Sequence, residues 1–192
     1  MNESPQAEAS SREAVPRDYK LLVPREWFRI DLMQARWRAQ LKTFVDRQAE
    51  GRNVPAELTQ KVWATLRNTT EAGRARGAME LFLLTTSQNG GLPASLLVSL
   101  MPLGNTPADP EEYAALLELR EPDGPGRRQV SVVELPAGVA VRLLGSTTLN
   151  FHVLMPGGVG WLTLSFSAQL TGMPGPMEQL CDAIAGSLRW VV

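Results

Sequence analysis

The chain has 192 residues, 44% hydrophobic and 20% charged, with a net charge of -1 and a single cysteine. That length suits one domain with a sizeable core, and the near-neutral charge gives no global attraction to nucleic acid or to an anionic membrane. One cysteine excludes an internal disulfide, and no apolar run approaches the ~20 residues that span a bilayer.

Residues 1–17 mix Ser, Glu, Ala and Pro without periodicity and read as a disordered tail ahead of a single domain over 18–192. The tail has neither the charged-then-apolar pattern of a secretory signal nor a cysteine for a lipid anchor, so a cytoplasmic location is expected. Basic residues are 16 Arg against 3 Lys, a bias common in GC-rich bacterial genomes. They are unevenly placed. Residues 11–76 hold 14 basic and 8 acidic side chains, whereas residues 77–192 hold 5 and 10. A basic helical half thus sits on an acidic, strand-rich half, and the basic half offers a docking surface for an acidic partner.

The domain opens with two short strands, 19–24 and 27–32, around a turn at Pro24-Arg25-Glu26. From Met33 the period becomes helical, with Met33, Trp37, Leu41 and Phe44 on one stripe and a stop at 50–53. Pro55 opens a second helix running to about Arg76, lined on one side by Leu58, Val62, Leu66 and Gly73. The short connection makes the two an antiparallel hairpin. Strands follow at 78–86 and 94–103, joined through the turn signal Gln88-Asn89-Gly90-Gly91. Asp109-Pro110-Glu111-Glu112 starts a third helix: a capping Asp, Pro in the first turn, then acids at the positive helix end. That helix buries Tyr113, Leu116 and Leu117 and gives way to a loop over 121–128.

The clearest pattern comes last. Strands at 129–135, 139–144, 149–155 and 160–168 form a meander with Gly-bearing or small polar turns. In the fourth strand Leu162, Leu164 and Phe166 alternate with Thr163, Ser165 and Ser167, the period of a sheet with one apolar face. A closing helix over 176–190 places Met177, Leu180, Cys181, Ile184 and Leu188 on one stripe. The fold class is therefore α+β: a largely antiparallel sheet of about six to eight strands with helices packed on its faces.

The opening YKLLVPREWFRIDL, a strand running into a Pro-x-x-Trp turn, and the last strand and helix ending SLRW carry a resemblance. Over 19–191 the chain resembles the PsbP-like α-β-α sandwich. That superfamily includes DcrB-like proteins, the LpqN-type lipoproteins of actinobacteria and a eukaryotic Ran-binding regulator. The resemblance implies an accessory or chaperone-like protein that binds other proteins and an actinobacterial source. It transfers no catalytic or ligand residue, and the expectation of no lipid anchor sets the chain apart from the LpqN-like members.

Groups for chemistry are few. His152 shares a strand face with Asn150 and Leu154, and sequential pairing puts that face beside Thr163, Ser165 and Ser167. This leaves a remote reading as a hydrolase or transferase using His152, although no GxSxG elbow is present. Cys181 reads as a small buried hydrophobe, Glu111 and Glu112 as helix-start acids, and residues 157–160 as a hairpin. One Cys and one His fall short of a protein-only zinc site, so no metal, cofactor or catalytic residue is expected. Exposed tryptophan anchors many interfaces. The expected partner surface accordingly combines Trp27, Trp161 and Trp190 with Arg36, Arg38, Lys42 and Arg47, and its partner is another protein, acidic in character. Nucleic acid and a membrane span are not expected. The leading reading is a non-enzymatic accessory or adaptor protein. The alternative is a carrier of a small apolar ligand held between sheet and helices.

Overall fold

A computed structural model of the chain describes residues 14–50, 55–84, 94–119, 128–169, 172–173 and 175–192. The expected tail up to residue 13, the helix stop at 51–53, the turn at 88–91 and the loop at 121–127 lie outside the described residues. In chain order the elements are β1 (Asp18–Lys20), β2 (Trp27–Asp31), α1 (Trp37–Ala49), α2 (Ala56–Arg74), β3 (Ala78–Leu84), β4 (Ser95–Pro102) and α3 (Pro110–Glu118). There follow β5 (Gln129–Leu135), β6 (Gly138–Leu144), β7 (Thr148–Leu154), β8 (Gly160–Ser167), α4 (Pro176–Gly186) and β9 (Arg189–Val191).

Seven strands form one antiparallel sheet in the order β2-β3-β4-β8-β7-β6-β5. The meander pairs sequentially from β5 to β8, and β8 then docks on β4, so the last strand of the meander lies at the centre. The fold is thus α+β, with an antiparallel sheet between helical layers. Alternation along the strands sends Leu96, Val98, Phe151, Leu162, Leu164 and Phe166 to one face, where they pack with Cys181, Ile184, Ala185 and Leu188. Arg142 on β6 ties α4 to that face, with Nη2 donating to Glu178 at 2.6 Å and Nε to Asp182 at 3.0 Å.

Among the described residues the opposite face is covered chiefly at its two ends. Trp37, Leu41, Phe44 and Val45 of α1 pack on Ile30, Ala78, Leu81 and Leu83 of β2 and β3. Tyr113, Ala114 and Leu117 of α3 pack on Val141, Leu143 and Trp161. The start of α3 is built as its sequence implies, the Asp109 carboxylate accepting from the Glu112 N–H at 2.9 Å with Pro110 in the first turn.

Four local expectations are corrected. The first helix starts at Trp37 rather than Met33, because Asp31 accepts from the Met33 N–H and the Gln34 amide, both at 2.9 Å, and holds 31–34 as a turn. Met33 is 72% exposed. The second helix leaves Leu58 and Val62 exposed and half-buries Leu66, so its apolar stripe is covered only in its C-terminal half. The first opening strand is shorter than the expected 19–24: β1 spans only Asp18–Lys20, where it pairs with β9, while β2 pairs with β3. The closing helix ends at Gly186, since the Ser187 hydroxyl donates to Ile184 O at 2.6 Å and accepts from Leu22 N–H at 2.9 Å. Residues 189–191 are then free to form the strand that pairs with β1. Among the described residues no helix is long and apolar enough to cross a membrane.

Candidate functional site

The uncovered middle of the helix-split face is a polar plate. The pairing registers line up Ser95, Ser167 and Thr148; then Leu97, Ser165 and Asn150; then Ser99, Thr163 and His152 across β4, β8 and β7. Eight of these nine positions are polar, and they repeat at roughly 4.8 Å across strands and 6.8 Å along them. Leu66, Thr69 and Thr70 of α2 wall the plate on one side, and with Leu81, Leu83 and Leu97 they enclose a trough of about 490 Å³. No charged side chain lines it among the described residues.

His152 closes the plate at the α3 end. Its Nδ1 lies 3.1 Å from Thr163 Oγ1 and 3.4 Å from the Tyr113 hydroxyl, and either hydroxyl can donate to an unprotonated Nδ1. The Tyr113 ring meets the imidazole edge-on at 5.2 Å and leans on Trp161 at 4.8 Å. The hydroxyl beside the histidine is thus the buried Thr163, while Ser165 and Ser167 stand one and two rows further along.

The expected partner surface does not assemble as one patch. Trp27 is 5% exposed beneath the N-terminal segment and Trp161 is 0% exposed beneath α3, so neither reaches a partner. Trp161 alternates with Leu162 and so joins the side of the sheet that α3 roofs, a cover that sequence spacing does not reveal. Trp190 is half-buried on β9, where its indole N–H donates to Ala137 O at 2.7 Å. Arg36, Arg38, Lys42 and Arg47 are exposed on α1 and the turn before it. Of these, Lys42 is neutralised by Asp46 at 2.7 Å and Arg38 by Glu71 at 2.8 Å. Two cations absent from the expected set lie near them: Arg74, whose guanidinium stacks on Trp37 at 5.4 Å, and Arg76 just beyond α2. Arg38 stacks on the same ring at 4.7 Å.

Cys181 is fully buried, and burial, reinforced by Asp182, pushes its thiol up to about 12. A thiol so shifted carries almost no thiolate at neutral pH. Among the described residues no group of three or more His, Cys, Asp or Glu could hold a metal ion.

No known family model matches the chain, and no curated protein is similar to it. The site therefore has to be read from its own chemistry. Ser95, Ser99 and Thr148 escaped sequence reasoning, although Ser95 and Ser99 alternate with Leu96 and Val98 as a two-faced strand would. The membership of Ser95 and Ser99 depends on the β4–β8 pairing, which joins segments about sixty residues apart and leaves no local signal, whereas Thr148 joins through the sequential β7–β8 pairing as the first residue of β7.

Proposed function

We propose that the chain is a non-enzymatic binding protein whose ligand is a small, uncharged molecule with both hydrogen-bonding and apolar sides. The observation that supports this is the trough: a volume of about 490 Å³, in the range of small-molecule sites, with a hydroxyl- and amide-bearing floor, leucine walls and no charged side chain among the described residues. Placing an ion there would cost its hydration without a countercharge to replace it. A wholly apolar ligand would leave the floor hydroxyls and Asn150 unbonded, which disfavours the apolar cargo read from the sequence. Native mass spectrometry of gently purified protein tests the reading. A retained small molecule is expected for the wild type and its loss for Ser165→Leu, which fills the trough. Recovery of bare protein from its native host in every preparation overturns it.

A second reading, an accessory protein for an acidic partner, is favoured by the helical hairpin. Arg36, Arg47, Arg74 and Arg76 are exposed there and join no ion pair among the described residues. The PsbP-like resemblance supports the same role. Capture of a partner that survives in low salt, weakens in high salt and is lost with Arg36→Glu/Arg74→Glu is the expected outcome. Salt-independent capture counts against it.

A further inference from the structure

The two edges of the sheet are unlike. β2 closes one edge with five residues that include Arg29 and Asp31. Arg29 is paired to Glu80, which also accepts a 2.5 Å hydrogen bond from the Tyr19 hydroxyl, so charge and the N-terminal segment guard that edge. β5 closes the other edge with seven residues, Gln-Val-Ser-Val-Val-Glu-Leu, containing no proline, lysine or bulge. Among the described residues its only strand neighbour is β6, so the N–H and C=O groups of its outer side have no ladder to join. Unprotected edges of this length are the templates on which further strands are added. The surroundings are apolar as well: Val130 and Val132 are half-buried against the α3 core, and Leu119 at the end of α3 is 84% exposed.

We propose that β5 pairs antiparallel with β5 of a second copy of the chain, about a two-fold axis through Ser131, joining two sheets into one of fourteen strands. A two-fold relating antiparallel neighbours stands normal to the sheet and keeps each face on its own side, so the axis passes through a residue rather than between residues. Only a few centres are then available. Centring on Val132 sets Glu134 against Val130, and centring on Val133 sets Glu134 against Val132. Centring on Ser131 instead faces Arg128 with Glu134, Gln129 with Val133, and Val130 with Val132, each twice. Opposite charges directly across an antiparallel pair are favourable, and paired β-branched residues pack well. Arg128 already donates from Nη2 to Leu117 O at 2.6 Å, which holds its stem at this edge. The valine pairs fall on the α3 face and extend the core of Tyr113 and Leu117 across the axis. This self-complementarity in charge and shape is what selects a second copy over another occupant.

The test combines sedimentation equilibrium with register-specific crosslinking of the full chain. The wild type is expected to dimerise reversibly in the micromolar range, and Glu134→Arg, which sets like charges opposite each other twice, to weaken the dimer at least about tenfold. Ser131→Cys is expected to form an intermolecular disulfide under mild oxidation, because directly facing residues sit ~4.5–5.5 Å apart at Cα, within disulfide reach. Val133→Cys is offset from its own copy by four residues, ~14 Å along the strand, and is expected to stay reduced. Buried Cys181 does not compete. A wild type that stays monomeric across that range overturns the proposal, as does crosslinking of Val133→Cys as fast as Ser131→Cys. Circular dichroism of each variant separates loss of pairing from loss of fold.

Discussion

Trp161 decides between an indole that serves binding and one that serves the core. It is fully buried, its Nε1–H donates to Pro107 O at 3.1 Å, and its ring centroid lies 4.8 Å from that of Tyr113. Trp161→Phe keeps an aromatic ring but removes tens of Å² of buried apolar area, about 1 kcal/mol at roughly 25 cal/mol per Å². It also leaves the Pro107 carbonyl without its donor, which adds about 1–2 kcal/mol. The expected loss is therefore about 2–3 kcal/mol, and about 3–5 kcal/mol for Trp161→Ala, where a large cavity remains. Urea unfolding followed by far-ultraviolet circular dichroism reads this directly, since fluorescence would average over five tryptophans. The midpoint should fall with the slope unchanged. A Trp161→Phe protein within about 0.5 kcal/mol of wild type would refute the reasoning, because that is the range of surface substitutions.

Other perturbations test other parts of the fold. Gly77→Ala is expected to destabilise by at least about 2 kcal/mol in the same assay, because Gly77 has φ +92° and a Cβ there would lie 2.3 Å from Leu100 O. Gln40→Met should stabilise by about 1 kcal/mol, since the buried Gln40 Oε1 has no hydrogen-bond partner among the described residues; a loss of stability would mean that the oxygen is bonded after all. Alkaline pH should weaken the fold. Burial raises both Tyr19, helped by its bond to Glu80, and Cys181, which reaches about 12 against an ordinary 9.0. A group whose folded value is raised contributes stability that is intact below its unfolded value and lost as pH climbs above it, so the urea midpoint should begin to fall above pH 9. Tyr19→Phe/Cys181→Ala should flatten that fall, and an unchanged slope would contradict the assignment.

What could be read from the residues was governed by range. The four meander strands were legible because alternation and glycine turns are local, and β5 through β8 lie within a residue or so of their expected bounds. The stripe Trp37, Leu41 and Phe44 and the Asp109 cap were legible for the same reason. The helix end at Gly186 was not, because it depends on Ser187 meeting Leu22, 165 residues away. Nor was the burial of Trp27 and Trp161, since an alternating pattern separates two faces without saying which of them a helix will roof. About half of the candidate site was visible: Asn150 and His152 beside Thr163, Ser165 and Ser167 follow from sequential pairing. Ser95 and Ser99 required the long-range β4–β8 pairing to join them.

The trough follows from topology more than from any one motif. The α1–α2 hairpin connects β2 to β3, which are neighbours at one edge, so it can roof only that end. The α3 connection leaves β4 for the far edge at β5, and its apolar residues Tyr113, Ala114 and Leu117 settle on β6 and Trp161 rather than on the middle. The meander then walks back from that edge and lays β8 against β4 with β7 beside it, and the helix that follows, α4, packs on their other face. Three strands with one polar face each are what such an uncovered centre requires, because leucines there would face water. The same chain path leaves β5 at an edge, where among the described residues only β6 pairs with it. One connection, the crossover through α3, thus accounts both for an open polar floor at the centre of the sheet and for an open backbone at its rim.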